Sequence, residues 1–503
     1  MKKLLSLLLA LAMVFSLAAC SGGNDNPGGG GGGNDNPGGG GGSEEPYEVS
    51  VQFVGLFEEN NNIANVEAAL NEITVPAINV KVKIVPVFIG DLPTTTALAV
   101  GTDEKLDIVT VGLTSSITDM VKNDLLLPLD DLLAEHGQGA LAVTKNVAEA
   151  QKVNGKTYGV SGYPFAAIAG GFVYNKTMAD EWGIDMHDEM TLEDLAAAGA
   201  ILKEHGVSLT TFGNSSQCNY KFFYGGDLYG SSGEYGGILH PAESTEIVNI
   251  YGSKEMRDYF KAVKSWKDAG YLPAGQLTDS TSVQEYFSQQ KIFGTSTAYT
   301  VDQIGAWQSA SFETGIVRMS DATVSTGSVT EFMLGIAANC KRPDKAMQLI
   351  NLIYTNADVA NLLQYGVEGT DYVAVEGTKN VITYEGTPND THNSYYSPFI
   401  QFGSRLERKI VSPLTDSYYD EVQAFENSAL KSLAFGYSFD PSGFSAESGA
   451  VNNVLAERLP ALNAGEVDDV DAAVDALVAA MENAGINNII TANQEQLNTF
   501  LGK

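Results

Sequence analysis

The chain has 503 residues, 44% apolar and 18% charged, enough to bury a sizeable core and unlike a disordered composition; at about 150 residues per domain it divides into two or three lobes. Its 62 acidic against 29 basic side chains leave a formal charge of −33, a field that repels phosphate backbones and anionic head groups and sets nucleic-acid binding aside. Three cysteines are too few for a disulfide scaffold.

Residues 1 to 20 read as an address. Lys2 and Lys3 precede an apolar run from Leu4 to Ala19, the pattern of a secretory signal peptide rather than a membrane span. The ending Leu17-Ala18-Ala19-Cys20 looks like a bacterial lipobox, in which the Cys20 thiol takes a diacylglyceryl group and becomes the mature N-terminus; ordinary secretion with an incidental cysteine is the alternative. Then NDNPGGGGGG at 24 to 33 is followed by NDNPGGGGG at 34 to 42. Glycine this dense cannot offset its ordering entropy, so the segment reads as a tether. From Cys20 to Tyr47 its root-mean-square reach is roughly 30 Å.

Order is predicted from Tyr47. Tyr47, Val49, Val51 and Phe53 alternate with Glu48, Ser50 and Gln52, a strand signal. Ile63, Val66, Ala69, Leu70 and Ile73 follow at helical spacing, then Val80, Val82 and Ile84 as a second strand. A helix around Thr94 to Val100 leads to a short buried strand at Asp107 to Val111. This is an α/β unit with right-handed crossovers, and its ligand crevice lies at the carboxyl ends of the strands. The loops Gly55 to Asn60, Phe88 to Asp91 and Gly112 to Ser116 are therefore candidate ligand loops, with Glu59 and Ser115 as their candidate side chains. Tyr158 to Ala167 suits a crossing between lobes, and Gly171 to Tyr174 is strand-like. Thr191 with Asp194 marks a helix start of capping-box type. Met256, Phe260, Val263 and Trp266 form one face of an amphipathic helix over Ser253 to Ala269. Later helices are predicted at 343–354, 357–364, 418–433, 451–459 and 470–483.

Chemical motifs are mostly absent. No Walker A, G-x-S-x-G or H-E-x-x-H pattern occurs, and the five histidines are scattered. The acidic run Asp468, Asp469, Asp471, Asp475 lacks a calcium-loop register and reads as a solvated helix start. Neither a cofactor nor a metal is indicated. With 62 carboxylates, a glycosidase-like pair such as Glu58 and Glu59 carries almost no information. Cys218 and Cys340 would be able to pair in an exported protein, but their spacing says nothing of proximity.

At 357 to 372 the chain reads ADVANLLQYGVEGTDY. With the lipobox and the opening strand–helix pattern, this resembles the solute-binding lipoproteins of bacterial ABC importers, in their carbohydrate-type, family 1-like branch from Gram-positive bacteria. The shared positions are Tyr365, Gly366, Glu368, Gly369 and Tyr372. The stretch from Gly436 to Leu501 is similar to the C-terminal extension of one subfamily, and shorter matches lie at Asn154–Gly159, Phe172–Lys176 and Arg342–Ala346. The small residues at Ile168 to Gly171 and the presence of just three tryptophans depart from the pattern.

The resemblance implies an α/β, two-lobed, periplasmic-binding-protein-like (type II) clamp with hinge crossings. It implies no enzymatic activity, lipid anchoring to the outer face of the cell membrane, and delivery of a solute, here an oligosaccharide, to ABC permease subunits. The same scaffold with a peptide or other small solute, or a surface glycoside-processing enzyme, are the alternatives. The expected divisions are 1–19 signal peptide, 20–46 lipidated cysteine and linker, 47–163 and 297–342 first lobe, and 164–296 and 343–503 second lobe with the extension. A pyranose has an apolar face that stacks on aromatics and hydroxyls that need polar partners. Candidate ligand contacts on that basis are Tyr163, Tyr220, Phe222 and Trp307, with Tyr365, Glu368 and Arg405, beside Glu59 and Ser115.

Overall fold

The computed structural model describes residues 45–56, 61–162, 166–213, 215–309, 311–404 and 407–503. Eight strands carry the architecture: β1 (Tyr47–Gly55), β2 (Val80–Phe88), β3 (Ile108–Val111), β4 (Val160–Ser161), β5 (Ala169–Asn175), β6 (Gly294–Tyr299), β7 (Thr314–Arg318) and β8 (Met333–Ile336). A five-stranded sheet has the order β2-β1-β3-β8-β4, and a three-stranded one the order β6-β5-β7. In the first sheet β1 lies parallel to β2 and β3, while β8 is antiparallel to β3 and β4. The second sheet is antiparallel throughout.

The first strand–helix–strand unit follows from local chemistry. The helix Ile63–Ile78 buries Val66, Leu70 and Thr74. Asn79 ends it in the left-handed region at φ 53°, a conformation asparagine tolerates, and β2 begins at the next residue. The alternation that marks β1 would give it one polar face, yet Ser50 and Gln52 are both buried. Each has partners there. The Asp107 carboxylate accepts from the Ser50 amide at 2.9 Å and its hydroxyl at 3.1 Å. The Gln52 side chain donates to Thr96 Oγ1 at 2.9 Å and accepts from the Thr110 amide at 3.0 Å. Buried polar groups are tolerated when so satisfied.

Two hydrophobic cores define two lobes. The first gathers Val49, Val51 and Phe53 with Leu349, Ile350 and Tyr354, then Val359, Leu363, Tyr395 and Phe402. Residues 343–402 thus pack on the first lobe, not on the second as expected from sequence. The helix Pro343–Thr355 docks through its apolar stripe, and the Tyr354 hydroxyl donates to Val160 O at 2.9 Å. Conversely β6 and β7 pair with β5, which places 297–318 in the second lobe rather than the first. The chain returns through a crossing in which Ile168 and Thr323 form a bridge. The second core joins Phe172 and Tyr174 to Tyr259, Phe260 and Trp266, and to the closing helices Ser445–Asn463, Val470–Asn483 and Ile486–Phe500. The last of these escapes a periodicity reading because a core position is polar: Asn493 accepts from the Tyr437 hydroxyl at 2.7 Å and donates to Tyr235 O at 2.9 Å.

The small residues of Ile168 to Gly171 have a packing cause. A Cβ on Gly170 would lie 2.4 Å from Phe222 O, and one on Gly171 2.9 Å from Tyr299 Cβ. The short helix Tyr220–Phe223 therefore rests directly on β5. Cys218 and Cys340 are both free; one lies in the second core and the other packs against the first. Among the described residues, no helix is long and apolar enough to cross a membrane.

Candidate functional site

A cavity of about 490 Å³ opens where the lobes meet. One wall is Phe332, Gln364, Tyr365 and residues 397–400 of the first lobe; the other is Ala298 near the end of β6 and Thr300, Asp302 and Gln303 beyond it. Tyr384, Tyr396 and Arg408 complete it.

The 397–402 segment reaches this position through Gln401, buried to 2% exposure. Its carbonyl accepts from the Val54 amide at 2.8 Å, and its amide donates to Val54 O at 2.9 Å and Ser397 Oγ at 2.8 Å. Gln364 secures the other side, donating to Phe399 O at 2.8 Å and accepting from the Gln401 amide at 2.8 Å. The wall is thus pinned to the carboxyl end of β1, where the strand pattern places a ligand crevice. The Arg408 guanidinium donates to Phe402 O at 2.6 Å, Gly403 O at 2.7 Å and Gly162 O at 3.3 Å. It joins this wall to the outgoing crossing.

Flat faces and polar groups alternate around the cavity. The Phe332 and Phe399 rings lie 5.7 Å apart, and the Tyr384 ring stands edge-on to Tyr396 at 5.5 Å. Burial pushes the phenols of Tyr365, Tyr384 and Tyr396 upward, so all three stay protonated, and able to donate, at neutral pH. Asp302 accepts from the Thr300 hydroxyl at 2.7 Å, and Gln303 donates to Thr297 Oγ1 at 3.1 Å. Aromatic faces with amides, hydroxyls and a carboxylate suit a ligand with apolar faces and many hydroxyls. Among the described residues, no group of three or more His, Cys, Asp or Glu side chains is placed to hold a metal ion.

Of the residues selected from sequence, Tyr365 is brought to this cavity, its hydroxyl donating to Lys409 O at 3.0 Å. Cys20, Glu59, Tyr163 and Arg405 lie outside the described residues, as does Glu58. Ser115 is half-buried on a turn, its carbonyl accepting from the Gly112 amide at 3.1 Å, and lines a separate space of about 20 Å³. Tyr220 and Phe222 sit in the second core rather than on the cavity wall. Trp307 packs edge-on against Phe287 at 5.7 Å, while its neighbours Gln303, Gly305 and Ala306 face the cavity. Glu368 is exposed on a turn closed by a bridge to Tyr372.

That turn is organised by a residue the sequence reading passed over. Asp371 is fully buried and accepts from Asn62 Nδ2 at 2.7 Å, the Val367 amide at 2.7 Å, Ser394 Oγ at 2.7 Å and the Tyr395 amide at 3.3 Å. Gly366 makes room for it: at φ 81°, a Cβ there would come 2.3 Å from Asp371 Oδ2. Phe332, Gln364, Tyr384, Tyr396 and Phe399 were also missed. The aromatic-rich run from Tyr395 to Phe402, broken by Pro398, was the available signal for the last two.

Residues 61–360 match the family model described as bacterial extracellular solute-binding protein, and residues 433–502 match a domain of unknown function, DUF3502. A carbohydrate ABC transporter substrate-binding protein of Streptococcus pneumoniae serotype 4 is 25% identical over 358 residues, 69% of this chain and 70% of that protein. The crystal structure of an N-glycan transport solute-binding protein (NgtS) from S. pneumoniae superposes with a TM-score of 0.79 at 21% identity, over 91% of this chain and 99% of that one. The same protein with Man5GlcNAc gives 0.65 at 21% identity, over 91% and 99%. An HMO-binding, ABC-transporter-associated solute-binding protein from Bifidobacterium longum infantis gives 0.63 at 13% identity, over 91% and 99%. The shared fold is the two-lobed α/β type II binding-protein architecture.

Proposed function

The chain belongs to the bacterial extracellular solute-binding protein family, and we propose that it captures an oligosaccharide between its lobes and hands it unaltered to the permease of an ABC importer. The observation that carries this reading is the cavity at the lobe junction, with aromatic faces such as Phe332 and Phe399 from the first lobe and hydrogen-bonding groups from both. The relatives support it, being named for carbohydrate, N-glycan and HMO binding.

The chain acts as a binder rather than an enzyme, and works outside the cell. Cys20 carries the lipid that holds it to the outer face of the membrane. Two acyl chains on one glyceryl group anchor far better than a single fatty acid.

A thermal-shift screen of residues 45–503 against mono- and oligosaccharides, with peptides as controls, tests the reading. An oligosaccharide at 100 times its dissociation constant adds about 2.7 kcal/mol of stability, several degrees of melting temperature. A response to peptides alone would replace the carbohydrate assignment, and a cleaved product would replace the binder with an enzyme.

A further inference from the structure

The lobes enclose a second cavity, of about 520 Å³. It adjoins the first: Ile168 on the outgoing crossing and Ser328 on the returning one line both. Its walls come from four parts of the chain, with Ser116 and Asp119 from the first lobe, the 225–231 loop from the second, Thr323 to Thr330 from the returning crossing, and Tyr437 to Phe439 from the C-terminal region. We propose that this chamber is a second sugar subsite, which takes the far end or a branch of the oligosaccharide whose first part occupies the 490 Å³ cavity. This inference rests on the carbohydrate reading and deepens it: the ligand is longer than one chamber holds, and the C-terminal domain is part of its site.

Three observations carry the assignment. First, the aromatic surface is built jointly. Tyr235 lies 5.5 Å from Phe439, and Tyr229 lies 5.6 Å from Tyr437 at 77°. Each pair joins a ring of the second-lobe loop to a ring of the C-terminal region. Tyr229 and Tyr235 are half-buried, which leaves ring area for a sugar face. Burial raises both phenols, so they remain hydroxyl donors at neutral pH.

Second, the loop is pre-formed. Gly225, Gly226 and Gly230 all have positive φ, which a side chain would resist. A Cβ on Gly226 would lie 2.8 Å from Tyr220 Cε1, and one on Gly230 2.3 Å from the Glu234 carboxyl carbon. Buried Glu234 accepts from the Ser232 amide at 2.9 Å, and the Tyr251 hydroxyl donates to Ser232 O at 2.6 Å. Tyr220 thus acts from beneath, as the floor on which this loop rests. A wall already ordered costs little to bind against.

Third, the chamber is polar where sugar hydroxyls need partners. Asp119 and Lys221 are exposed at its rim, and Ser116 donates to Asp119 at 2.7 Å. Its volume alone falls in the range of about 300–1,000 Å³ typical of small-ligand sites.

The test is calorimetric titration of residues 45–503, as wild type, Ser231→Trp and Lys221→Ala, with Man1GlcNAc and Man5GlcNAc. Ser231 is exposed on this wall, so an indole there narrows the chamber, and an unchanged melting temperature shows that the fold survives. Lys221→Ala removes one exposed head group and serves if Ser231→Trp does not fold. The expected result is at least a tenfold loss of affinity for the longer glycan in Ser231→Trp, a smaller loss in Lys221→Ala, and affinity for the shorter glycan within twofold of wild type. Equal effects on both glycans, or none on either, overturn the subsite and leave the carbohydrate reading standing. A wild-type protein that binds neither glycan but binds peptides overturns both.

Discussion

Replacing Gln401 by methionine tests how the cavity wall is held. The change keeps side-chain volume, so it opens no cavity, but it removes both polar ends of a buried amide. Two hydrogen bonds donated to Val54 O and Ser397 Oγ disappear, and the Val54 amide loses its acceptor. Val54 O keeps the Ser397 hydroxyl at 2.7 Å, so the amide is the group left without a partner. Each lost donated hydrogen bond costs about 1 kcal/mol, and the orphaned buried donor adds about 1–3 kcal/mol, for a total of about 3–5 kcal/mol. Urea unfolding of residues 45–503, followed by tryptophan fluorescence, reads this as a lower midpoint at unchanged slope. The same variant should bind ligand more weakly, because Phe399 and Ser397 ride on the released segment. A loss below about 0.5 kcal/mol would refute the view that this side chain pins the wall to β1.

Gly366→Ala should cost about 3 kcal/mol by the same assay, since it combines φ 81° with a Cβ 2.3 Å from Asp371 Oδ2; a cost under about 1 kcal/mol would show that the turn yields easily. Burial pushes the Cys218 thiol up to about 11, and burial with the Asp107 carboxylate pushes Cys340 up to about 12. Thiolate fractions at pH 8 are then about one in a thousand or less, so both thiols should resist Ellman's reagent until urea unfolds the protein. Rapid native labelling of either would contradict the packing around it. Asp440 is drawn upward by burial, but Lys122 and Ser442 outweigh this and hold it below its usual value. A depressed carboxylate stabilises the fold above its unfolded pKa and stops doing so as pH falls through the folded one. The pair is a third or more exposed, so Asp440→Asn should cost only about 0.5 kcal/mol at pH 7 and nothing once pH drops below the folded value; an undiminished cost in acid would rule out the charge as its source.

Periodicity was sufficient wherever an element's partner lies close in sequence. β1, the helix Ile63–Ile78, β2 and β3 were legible because hydrophobic spacing and short connections dictate them. The placement of residues 343–402 was not, since it depends on contacts such as Gln401 with Val54, 347 positions apart, which leave no mark on local spacing. The Tyr-Gly and Glu-Gly motif shows the same limit. Its conspicuous residues suggested ligand contacts, yet Gly366 shapes a turn, Glu368 faces solvent, and the organising group is the inconspicuous Asp371. Ser50 and Gln52 alternate with apolar residues as an exposed strand face would, yet are satisfied inside; polar identity alone does not separate the two cases. The aromatic wall was half visible. Tyr365 was found through its motif, whereas Phe332 and Phe399 meet only because β8 pairs with β3 while the 397–402 segment is pinned to β1, two strands away in the same sheet.

The central claim is capture of an intact oligosaccharide at the lobe junction. Calorimetric titration of wild type and Phe399→Ala with a panel of oligosaccharides, followed by mass spectrometry of the recovered ligand, tests it most directly. The account predicts saturable one-to-one binding of at least one oligosaccharide, a roughly tenfold weaker affinity on loss of the Phe399 ring, and a ligand mass that does not change. Binding that ignores Phe399→Ala, or a ligand recovered in pieces, would contradict it.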